Sequence, residues 1–387
     1  MKIMGYKREN GTCGIRNHIL VIPTSVCAAD TAAKIASQVP GAIALPNQHG
    51  CCQIGSDMEV TERTIVGFGK NSNVGAVLVV GLGCDGIQAS RVAERISETK
   101  KRVEYIVIQE NKGTLNTITK GANILRNMAQ ELSEQEREEI DFSNLIVALE
   151  CGGSDPTSGL ASNPSIGVAS NLVIDNGGST ILSETTEVIG AEHLLAERFI
   201  DEIEKEKFLS FVNNVEQRAI MMGEDLRTGQ PTPGNKKGGL STIEEKSLGC
   251  MYKAGNKPFV GALEYAEEVD SKKKGLYFMD TPGQDIDSIT GMIAGGANIV
   301  IFSTGRGTPT GSPISPVIKI TGNPQTYENM KDNIDLNAGK VISQNVSIDD
   351  MGEELFKEII KVSNGKLTKS EALGHKEFGI YKITGTF

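Results

Sequence analysis

Short apolar runs that end in polar, glycine-rich turns recur along the chain. Runs of four to eight apolar residues bounded by turn residues are typical of buried strands in a parallel sheet. They occupy residues 19–23, 76–80, 145–149, 275–279 and 297–302. The segments between them have the mixed polarity of surface helices. This alternation predicts an α/β fold with two or three parallel-sheet, Rossmann-like lobes around a shared cleft.

Breaks in the pattern predict three lobes. The first covers residues 1–142, the second 143–272 and the third 273–387 with a C-terminal helical tail. Residues 1–18 are polar and predict an extended lead-in, whereas 115–140 predict one helical segment with a charged end. A loop at 231–239 is rich in glycine and lysine, and its length indicates a functional role.

Composition narrows the possible partners. The 387 residues carry a formal net charge of −10 without a basic stripe, so we expect no nucleic acid partner. No apolar run has the length of a membrane span, and the first ten residues are too polar for a signal peptide. We therefore expect no membrane association and a soluble, cytoplasmic homo-oligomer.

Cysteines follow several of the apolar runs. There are seven, and an odd number at glycine-rich turns favours metal binding or reactive thiols over disulfides. Cys52, Cys84 and Cys151 lie at strand ends and could converge on iron or an iron–sulfur centre. The alternative is that each is simply a small buried residue. His49, in the same turn as Cys51 and Cys52, is either a ligand or acid–base group, or a structural residue.

Charged side chains at other strand ends suggest an anionic substrate. Glu150 directly follows an apolar run and is the acid–base candidate, whereas most other strand-end carboxylates read as helix caps. Arg306 lies between two glycines, where a guanidinium can grip a carboxylate with two hydrogen bonds. Lys237 and Lys319 are further cations that bind substrate or remain ordinary loop charges. The glycine turns lack the dinucleotide spacing, so neither NAD nor ATP is expected.

Eight segments resemble the altronate/galactarate dehydratase family. They run in nearly the same order from about residue 5 to about residue 345, and they are GIRNHILVIPTSVC, HGCC, GLGCDG, ECGGSDPTSGLASNPSIG, ETTEVIGAEHLL, PTPGNKKGGLSTIEEKSLGC, MDTPGQD and GGANIVIFSTGRGTPTGSPISPVIKI. The resemblance implies an iron-dependent hydro-lyase that converts a sugar acid such as altronate or galactarate to a 2-keto-3-deoxy acid. A related branch, (2R)-sulfolactate sulfo-lyase, expels sulfite instead.

The resemblance places particular residues in the site, and their roles are our inference. His49, Cys52, Cys84 and Cys151 are the expected ligands of Fe²⁺ or of an iron–sulfur centre, with Mn²⁺ as another possible ion. Cys51 and Cys52 are adjacent here, unlike in the family pattern, and we favour Cys52 as the site thiol. Glu150 and His49 are the expected catalytic groups. The expected substrate-binding residues are Arg306, Lys237, Lys319 and Asp155.

The same resemblance predicts a partner. The small N-terminal β-clip (SAF-like) domain of the fused dehydratases has no counterpart in this sequence, so we expect a separate small subunit. Three alternatives stay open at this point. The chain is the large subunit of a sulfolactate sulfo-lyase, a non-catalytic subunit that needs a partner, or a thiol-dependent enzyme without a metal.

Overall fold

The computed structural model describes residues 1–229 and 231–385 of the chain. Its strands are β1 (Lys2–Lys7), β2 (Cys13–Gly14), β3 (His18–Pro23), β4 (Ala42–Ala44), β5 (Val74–Gly81), β6 (Arg102–Val107), β7 (Glu138–Asp141), β8 (Ile146–Gly152), β9 (Ser179–Leu182), β10 (Phe259–Leu263), β11 (Leu276–Met279), β12 (Ile299–Thr304), β13 (Val317–Thr321) and β14 (Leu336–Asn337).

Helices separate most of these strands. They are α1 (Val26–Ala36), α2 (Gly55–Lys70), α3 (Ala89–Ser97), α4 (Thr114–Ser133), α5 (Asn163–Asp175), α6 (Glu192–Ala196), α7 (Glu202–Met221), α8 (Leu226–Gly229), α9 (Pro233–Lys237), α10 (Ile243–Met251), α11 (Asp285–Ala294), α12 (Pro324–Asn329), α13 (Lys340–Ser343), α14 (Ile348–Ser363) and α15 (Lys369–Leu373). The predicted α/β class with parallel sheets is confirmed. Within the described residues, no helix combines the length and apolarity that a membrane crossing requires.

The first parallel sheet has four strands in the order β4-β3-β5-β6. Its strands are apolar on both faces, because helices cover both faces. Helices α1 and α4 pack on the face of Val21 and Leu78. Helices α2 and α3 pack on the opposite face, where Leu20 and Val77 point. The alternation of strand and helix in the sequence is sufficient to predict this lobe.

The second parallel sheet has seven strands in the order β10-β11-β9-β8-β12-β13-β14. Helices α5 and α14 pack on one face, and α11 packs on the other. The sequence-based boundary at residue 272 lies between β10 and β11, which are hydrogen-bonded neighbours in this sheet. Residues 146–337 thus share one sheet, because strands from both sides of that boundary pair with each other.

A small antiparallel sheet, β2-β1-β7, joins the beginning of the chain to the segment between the two lobes. The sequence predicts an extended lead-in at residues 1–18, and part of it forms strand β1. The sequence predicts a helix to residue 140, but its end forms strand β7, which pairs with β1. Both segments are rich in polar residues and pair across more than 130 positions of sequence. Local patterns do not report such distant pairing, which explains the difference.

The two lobes contact each other through α2 and α11. An added Cβ on Gly67 of α2 would lie 2.3 Å from the carbonyl oxygen of Ala294, so only glycine permits this close approach. The side-chain amide of Asn71 donates hydrogen bonds to the carbonyls of Ile293 and Ala297. These contacts join the two lobes beside the amino ends of β5 and β12, which begin a few residues later. The candidate site lies at the opposite, carboxyl end of the larger sheet.

Candidate active site

The larger sheet reverses its strand order next to β8. From β8 the chain adds β9 on one side and later adds β12 on the other. In open α/β sheets, ligands bind at such a switch point, beyond the carboxyl ends of the strands. Cys151 and Gly152 at the end of β8 lie opposite Ser303 and Thr304 at the end of β12. The site is therefore expected in the crevice between the turns that follow these two strands.

The turn after β8 lies between the Asp285 carboxylate and the first side-chain carbon of Arg306. A Cβ on Gly152 would lie 2.4 Å from Oδ2 of Asp285, the first residue of α11. A Cβ on Gly153, whose φ is +61°, would lie 3.4 Å from Cβ of Arg306. The two glycines leave the space in which Asp285 and Arg306 approach the same turn, and Arg306 is exposed.

The loop at 231–239 is docked on this turn. Asn235 is buried, and its amide donates to the carbonyl of Ser154 at 2.9 Å. Arg306 donates to the carbonyl of Gly234 at 3.2 Å. The loop contains the short helix α9, which Thr232 caps by accepting from the backbone N–H of Asn235. Lys237 ends α9 and is exposed, so the docked loop presents a cation beside the crevice.

Beneath the turn lies a fully buried cluster of acids, thiols and a lysine. Successive strand residues point to opposite faces, so Glu150 faces α11, whereas Cys151 faces α10. The hydroxyl of Ser288 donates to Glu150 Oε2 at 2.7 Å. Cys151 Sγ lies 4.0 Å from Cys250 Sγ.

Lys253 lies between two of the buried carboxylates of this cluster. Nζ of Lys253 is 3.3 Å from Oε2 of Glu184 and 3.6 Å from Oε2 of Glu187. Lys246 adds a second ammonium, 3.0 Å from Oε1 of Glu187. Cys250 donates to Glu187 Oε2 at 2.9 Å. Glu187 is therefore saturated with donors, whereas Glu150 and Glu184 are not.

The carboxyl groups of the cluster differ in the direction of their pKa shifts. Burial raises the pKa of Glu150 well above its usual value, and the Asp285 carboxylate adds to the shift. Burial and the Glu150 carboxylate likewise raise the pKa of Glu184. Burial alone would also raise the pKa of Glu187, but the ammonium groups of Lys246 and Lys253 lower it to about 2. Without further positive charge, Glu150 and Glu184 favour the protonated form.

The expected iron ligands are not gathered in one place. Within residues 1–229 and 231–385, no three of His49, Cys52, Cys84 and Cys151 bring their donor atoms within 4.8 Å of one another. The structure therefore does not bring the predicted four-residue set together, nor three of its cysteines, and the assignment of these residues as iron ligands stays a prediction. The donor groups that do meet are Cys151 with Glu187 and Cys250, and Glu150 with Glu184 and Asp285.

The other expected ligands lie on the smaller lobe. Cys52 and Cys84 are exposed, with Cys51 Sγ 3.7 Å from Cys52 Sγ and the Gln109 amide 3.7 Å from Cys84 Sγ. His49 lies nearer to the larger sheet. It lines a cavity of about 130 Å³ together with Asp287 of α11 and residues 378–380 of the C-terminal segment. Burial lowers the pKa of His49, and the Lys382 ammonium adds to this effect.

Two expected substrate-binding residues have internal partners. The Asp155 carboxylate accepts from Thr157 at 2.5 Å and from the Asn323 amide at 3.0 Å, so it shapes the turn after β8. Lys319 is fully buried and donates to the carbonyls of Pro309 and Thr310 at 3.2 and 2.8 Å. It holds the loop that follows Arg306.

Replacing Gly152 by alanine is expected to disturb the site directly. The new methyl group would meet Asp285 Oδ2 at 2.4 Å and Phe302 Cε2 at 2.8 Å. Overpacking of this kind costs roughly 1–3 kcal/mol of folding free energy, and here it also displaces the Asp285 carboxylate. Chemical denaturation measures the cost. Gly55→Ala at the start of α2 is the control, because nothing lies within 4 Å of its added Cβ; an equal loss in both variants would contradict the packing.

The burial of Lys319 predicts a pH dependence of stability. Burial lowers its pKa from 10.5 to about 8, although Asp335 partly opposes the shift. Between these two values the unfolded chain binds the extra proton, so folding stability should rise with pH in that window, by up to about 1.4 kcal/mol per pH unit for this group. Urea unfolding of wild type and Lys319→Met at about pH 7.5 and pH 9.5 tests this, because the variant should lack that part of the rise. A parallel rise in both proteins would contradict it.

Sequence reasoning found the turn but missed part of the cluster. Glu184 and Glu187 follow a short strand and have the sequence pattern of helix-capping carboxylates, and Cys250 is a lone cysteine beside a glycine. Asp285 has the position of a helix cap, which hides its contact with Gly152. Lys253 follows α10 between Tyr252 and Ala254, and these neighbours do not distinguish it from a surface lysine.

Family models match nearly the whole chain. The model for the C-terminal region of D-galactarate/altronate dehydratases matches residues 142–386. The model for the second domain of D-galactarate dehydratase/altronate hydrolase matches residues 5–133. The junction between the two matches lies close to the sequence-based boundary at residue 142.

Curated relatives agree with these models. (2R)-sulfolactate sulfo-lyase subunit beta of Chromohalobacter salexigens is 37% identical over 384 residues, which is 98% of this chain and 97% of that protein. Altronate dehydratase of Bacillus subtilis is 35% identical over 389 residues, 98% of this chain and 77% of the relative. Galactarate dehydratase (L-threo-forming) of Escherichia coli is 33% identical over 328 residues, which is 82% of this chain and 62% of that protein. The resemblance in the eight motifs is confirmed, and the chain belongs to the D-galactarate/altronate dehydratase family of lyases.

Proposed function

We propose that this chain removes water from a sugar acid such as altronate or galactarate and produces a 2-keto-3-deoxy acid. The observation that carries the proposal is the turn Gly152–Gly153 at the switch point, which Asp285 and Arg306 approach from its two sides. Elimination next to a carboxylate requires a cation that binds this carboxylate, a base that removes the C2 proton and a proton for the leaving hydroxide. Family membership supports this class of reaction.

Arg306 is the residue that we propose binds the substrate carboxylate. Its side chain is exposed in the crevice, and one nitrogen is held by the carbonyl of Gly234. A guanidinium presents several N–H donors in a plane, so this fixed bond still leaves donors for a carboxylate. Lys237 on the docked loop adds a second positive charge beside the same crevice.

His49 is the proposed acid–base group. It is half-buried, and its lowered pKa keeps the imidazole neutral, the form that accepts a proton. In the reaction it would take the proton from C2 while the C2–H electrons form the C2–C3 double bond. The C3–O bond then breaks, and the leaving hydroxide takes a proton and departs as water. The resulting enol becomes the ketone when C3 takes up a proton.

The His49 role makes a specific kinetic prediction. His49→Gln is expected to lower kcat by roughly 10²–10⁴-fold with a much smaller change in KM, because proton transfer contributes about that much to rate. In wild type, kcat is expected to decline at acidic pH, where the imidazole is protonated, and the variant should lack this decline. Steady-state rates across pH measure both effects. An unchanged pH profile in His49→Gln would remove this residue from the mechanism.

Elimination of sulfite from (2R)-sulfolactate is the second candidate. The specific observation in its favour is that the sulfo-lyase subunit beta matches along 97% of its own length. In that reaction the C3–S bond breaks, sulfite leaves with the bonding electrons, and the enol becomes pyruvate. The doubly charged substrate would use both Lys236 and Lys237, which are exposed on the docked loop.

We also propose a separate small partner subunit. The relative from Chromohalobacter salexigens is named as one subunit of an enzyme, and it matches this chain almost end to end. The chain should therefore be assayed alone and together with a small β-clip subunit. A gain in activity on mixing is expected if the partner completes or stabilises the site.

Product analysis decides between the two reactions. Purified protein, kept anaerobic and supplied with Fe²⁺ or Mn²⁺, is incubated separately with altronate, galactarate and (2R)-sulfolactate, with and without the small subunit. We expect a 2-keto-3-deoxy acid from one of the sugar acids. Sulfite and pyruvate from sulfolactate, with no keto acid from the sugar acids, would replace the first candidate by the second. An absence of product from all three would reject both.

A further inference from the structure

We propose that Glu150, Glu184 and Asp285 together hold one divalent cation of the class that prefers oxygen ligands. Each residue offers a carboxylate oxygen, and these oxygens lie within 4.8 Å of one another. The residues come from the end of β8, the turn after β9 and the start of α11. Three separate elements thus converge on one point at the switch point of the sheet.

Unused oxygens supply an independent observation. Oε1 of Glu150 and Oε1 of Glu184 are buried and have no hydrogen-bond partner among the described residues. The other oxygen of each group is already held. Glu150 Oε2 accepts from Ser288, and Glu184 Oε2 accepts from the backbone N–H of Cys151 at 3.1 Å. One fixed oxygen and one free oxygen per group is the arrangement of a carboxylate oriented by its neighbours for an ion.

The charge balance of the cluster also supports a bound divalent cation. It contains the carboxyl groups of Glu150, Glu184, Glu187 and Asp285, but only the two ammonium groups of Lys246 and Lys253. Ionised carboxylates without partners are expensive to bury. The excess of two negative charges equals the charge of one divalent cation, which would let Glu150 and Glu184 remain ionised.

The neighbouring thiol group is a weaker candidate because its atoms are already paired. Cys250 donates to Glu187, which also accepts from Lys246. Cys151 Sγ lies 2.9 Å from the hydroxyl of Ser154. A metal there would have to break these bonds, whereas an ion at the three carboxylates would satisfy oxygens that have no partner.

The carboxylate oxygens at this site determine which metal ions it can bind. Three carboxylate oxygens suit Mg²⁺, Mn²⁺, Ca²⁺ or ferrous iron, and they do not suit an iron–sulfur cluster. When bound, such an ion polarises a substrate oxygen as a Lewis acid. As a role in catalysis this rests on the proposed function, but binding of the ion is measurable without turnover.

Mn²⁺ binding to the chelator-treated protein tests the site. Electron paramagnetic resonance of free Mn²⁺ gives the stoichiometry and Kd for wild type, Glu150→Gln and Asp285→Asn. Cys250→Ser is the matched control in the thiol group. We expect one ion per chain in wild type, a loss of affinity of about tenfold or more in both carboxyl variants, and little change in Cys250→Ser. Bound Co²⁺ should show no thiolate charge-transfer absorption.

Thermal unfolding separates a metal ligand from a merely structural residue. In the absence of metal, Glu150→Gln should unfold at a higher temperature than wild type, because it removes a repelled buried carboxyl group. Added Mn²⁺ should raise Tm in wild type, and at the same concentration it should raise Tm less in this variant. No Mn²⁺ binding by wild type, or lost binding in Cys250→Ser alone, would overturn the site. Normal Mn²⁺ binding without any lyase activity would instead reject the proposed function and keep the site.

Discussion

Replacing Lys253 by methionine is expected to lower the free energy of unfolding by about 3–5 kcal/mol, the cost of removing one partner from a buried ion pair. The side chain is 1% exposed, and it is the ammonium group that faces both Glu184 and Glu187. Burial alone would lower the pKa of Lys253, but the Cys151 thiol and the two carboxylates raise it well above the usual value. Methionine fills a similar volume and leaves the acids without this charge.

Lys257→Met is the matched control for this variant. Lys257 lies four residues further along and pairs with Asp175 at the surface, and exposed pairs contribute about 0–1 kcal/mol. Urea unfolding compares the two variants with wild type. Adding Glu184→Gln to Lys253→Met should recover part of the loss, because one uncompensated carboxylate disappears. A loss of less than about 1 kcal/mol in Lys253→Met would show that the cluster does not depend on this charge.

Replacing Arg306 by alanine is expected to lower kcat/KM by about a hundredfold, because hydrogen bonds to charged groups contribute about 1.5–3 kcal/mol each. The residue is exposed, and among residues 1–229 and 231–385 its side chain donates one hydrogen bond, to the carbonyl of Gly234. Its loss should therefore change stability by less than about 0.5 kcal/mol. Arg306→Lys keeps the charge but not the planar arrangement of donors, so it should recover only part of the activity.

Initial rates with the active sugar acid, together with urea unfolding, test the Arg306 prediction. Arg126→Ala on the exposed face of α4 is the control, because that residue belongs to the smaller lobe and its hydrogen bond to Asn123 lies at the surface. Full activity in Arg306→Ala would move the substrate carboxylate away from the β8–β12 crevice. Equal losses in both arginine variants would indicate a general charge effect instead.

The sequence predicted the elements that local pattern determines. Each apolar run became a buried strand, and the turn after β8 was identified because an acid, a thiol and two glycines follow the apolar run 145–149 directly. Arg306 was identified for the same reason, since it follows β12 between two glycines. The rule that ligands bind beyond the carboxyl ends of parallel strands needs only the order of residues along one strand.

The arrangement of strand ends relative to one another was beyond the sequence. Cys52, Cys84 and Cys151 all follow apolar runs, so the local pattern does not distinguish them and predicts one shared metal centre. The fold divides them between two sheets, with Cys84 after β5 and Cys151 on β8. The carboxylate group formed instead from Glu150, Glu184 and Asp285, whose proximity depends on the neighbouring places of β8, β9 and α11.

Deuterium incorporation tests the central claim, that this chain eliminates water from a sugar acid by removing the C2 proton. The purified protein is incubated with the sugar acid in D₂O, and the product is examined by nuclear magnetic resonance. We expect a 2-keto-3-deoxy acid with one deuterium on C3, because the enol takes its new proton from solvent. We also expect almost no such product from Arg306→Ala. A product without deuterium on C3, or sulfite and pyruvate from sulfolactate as the only products, would contradict the central claim.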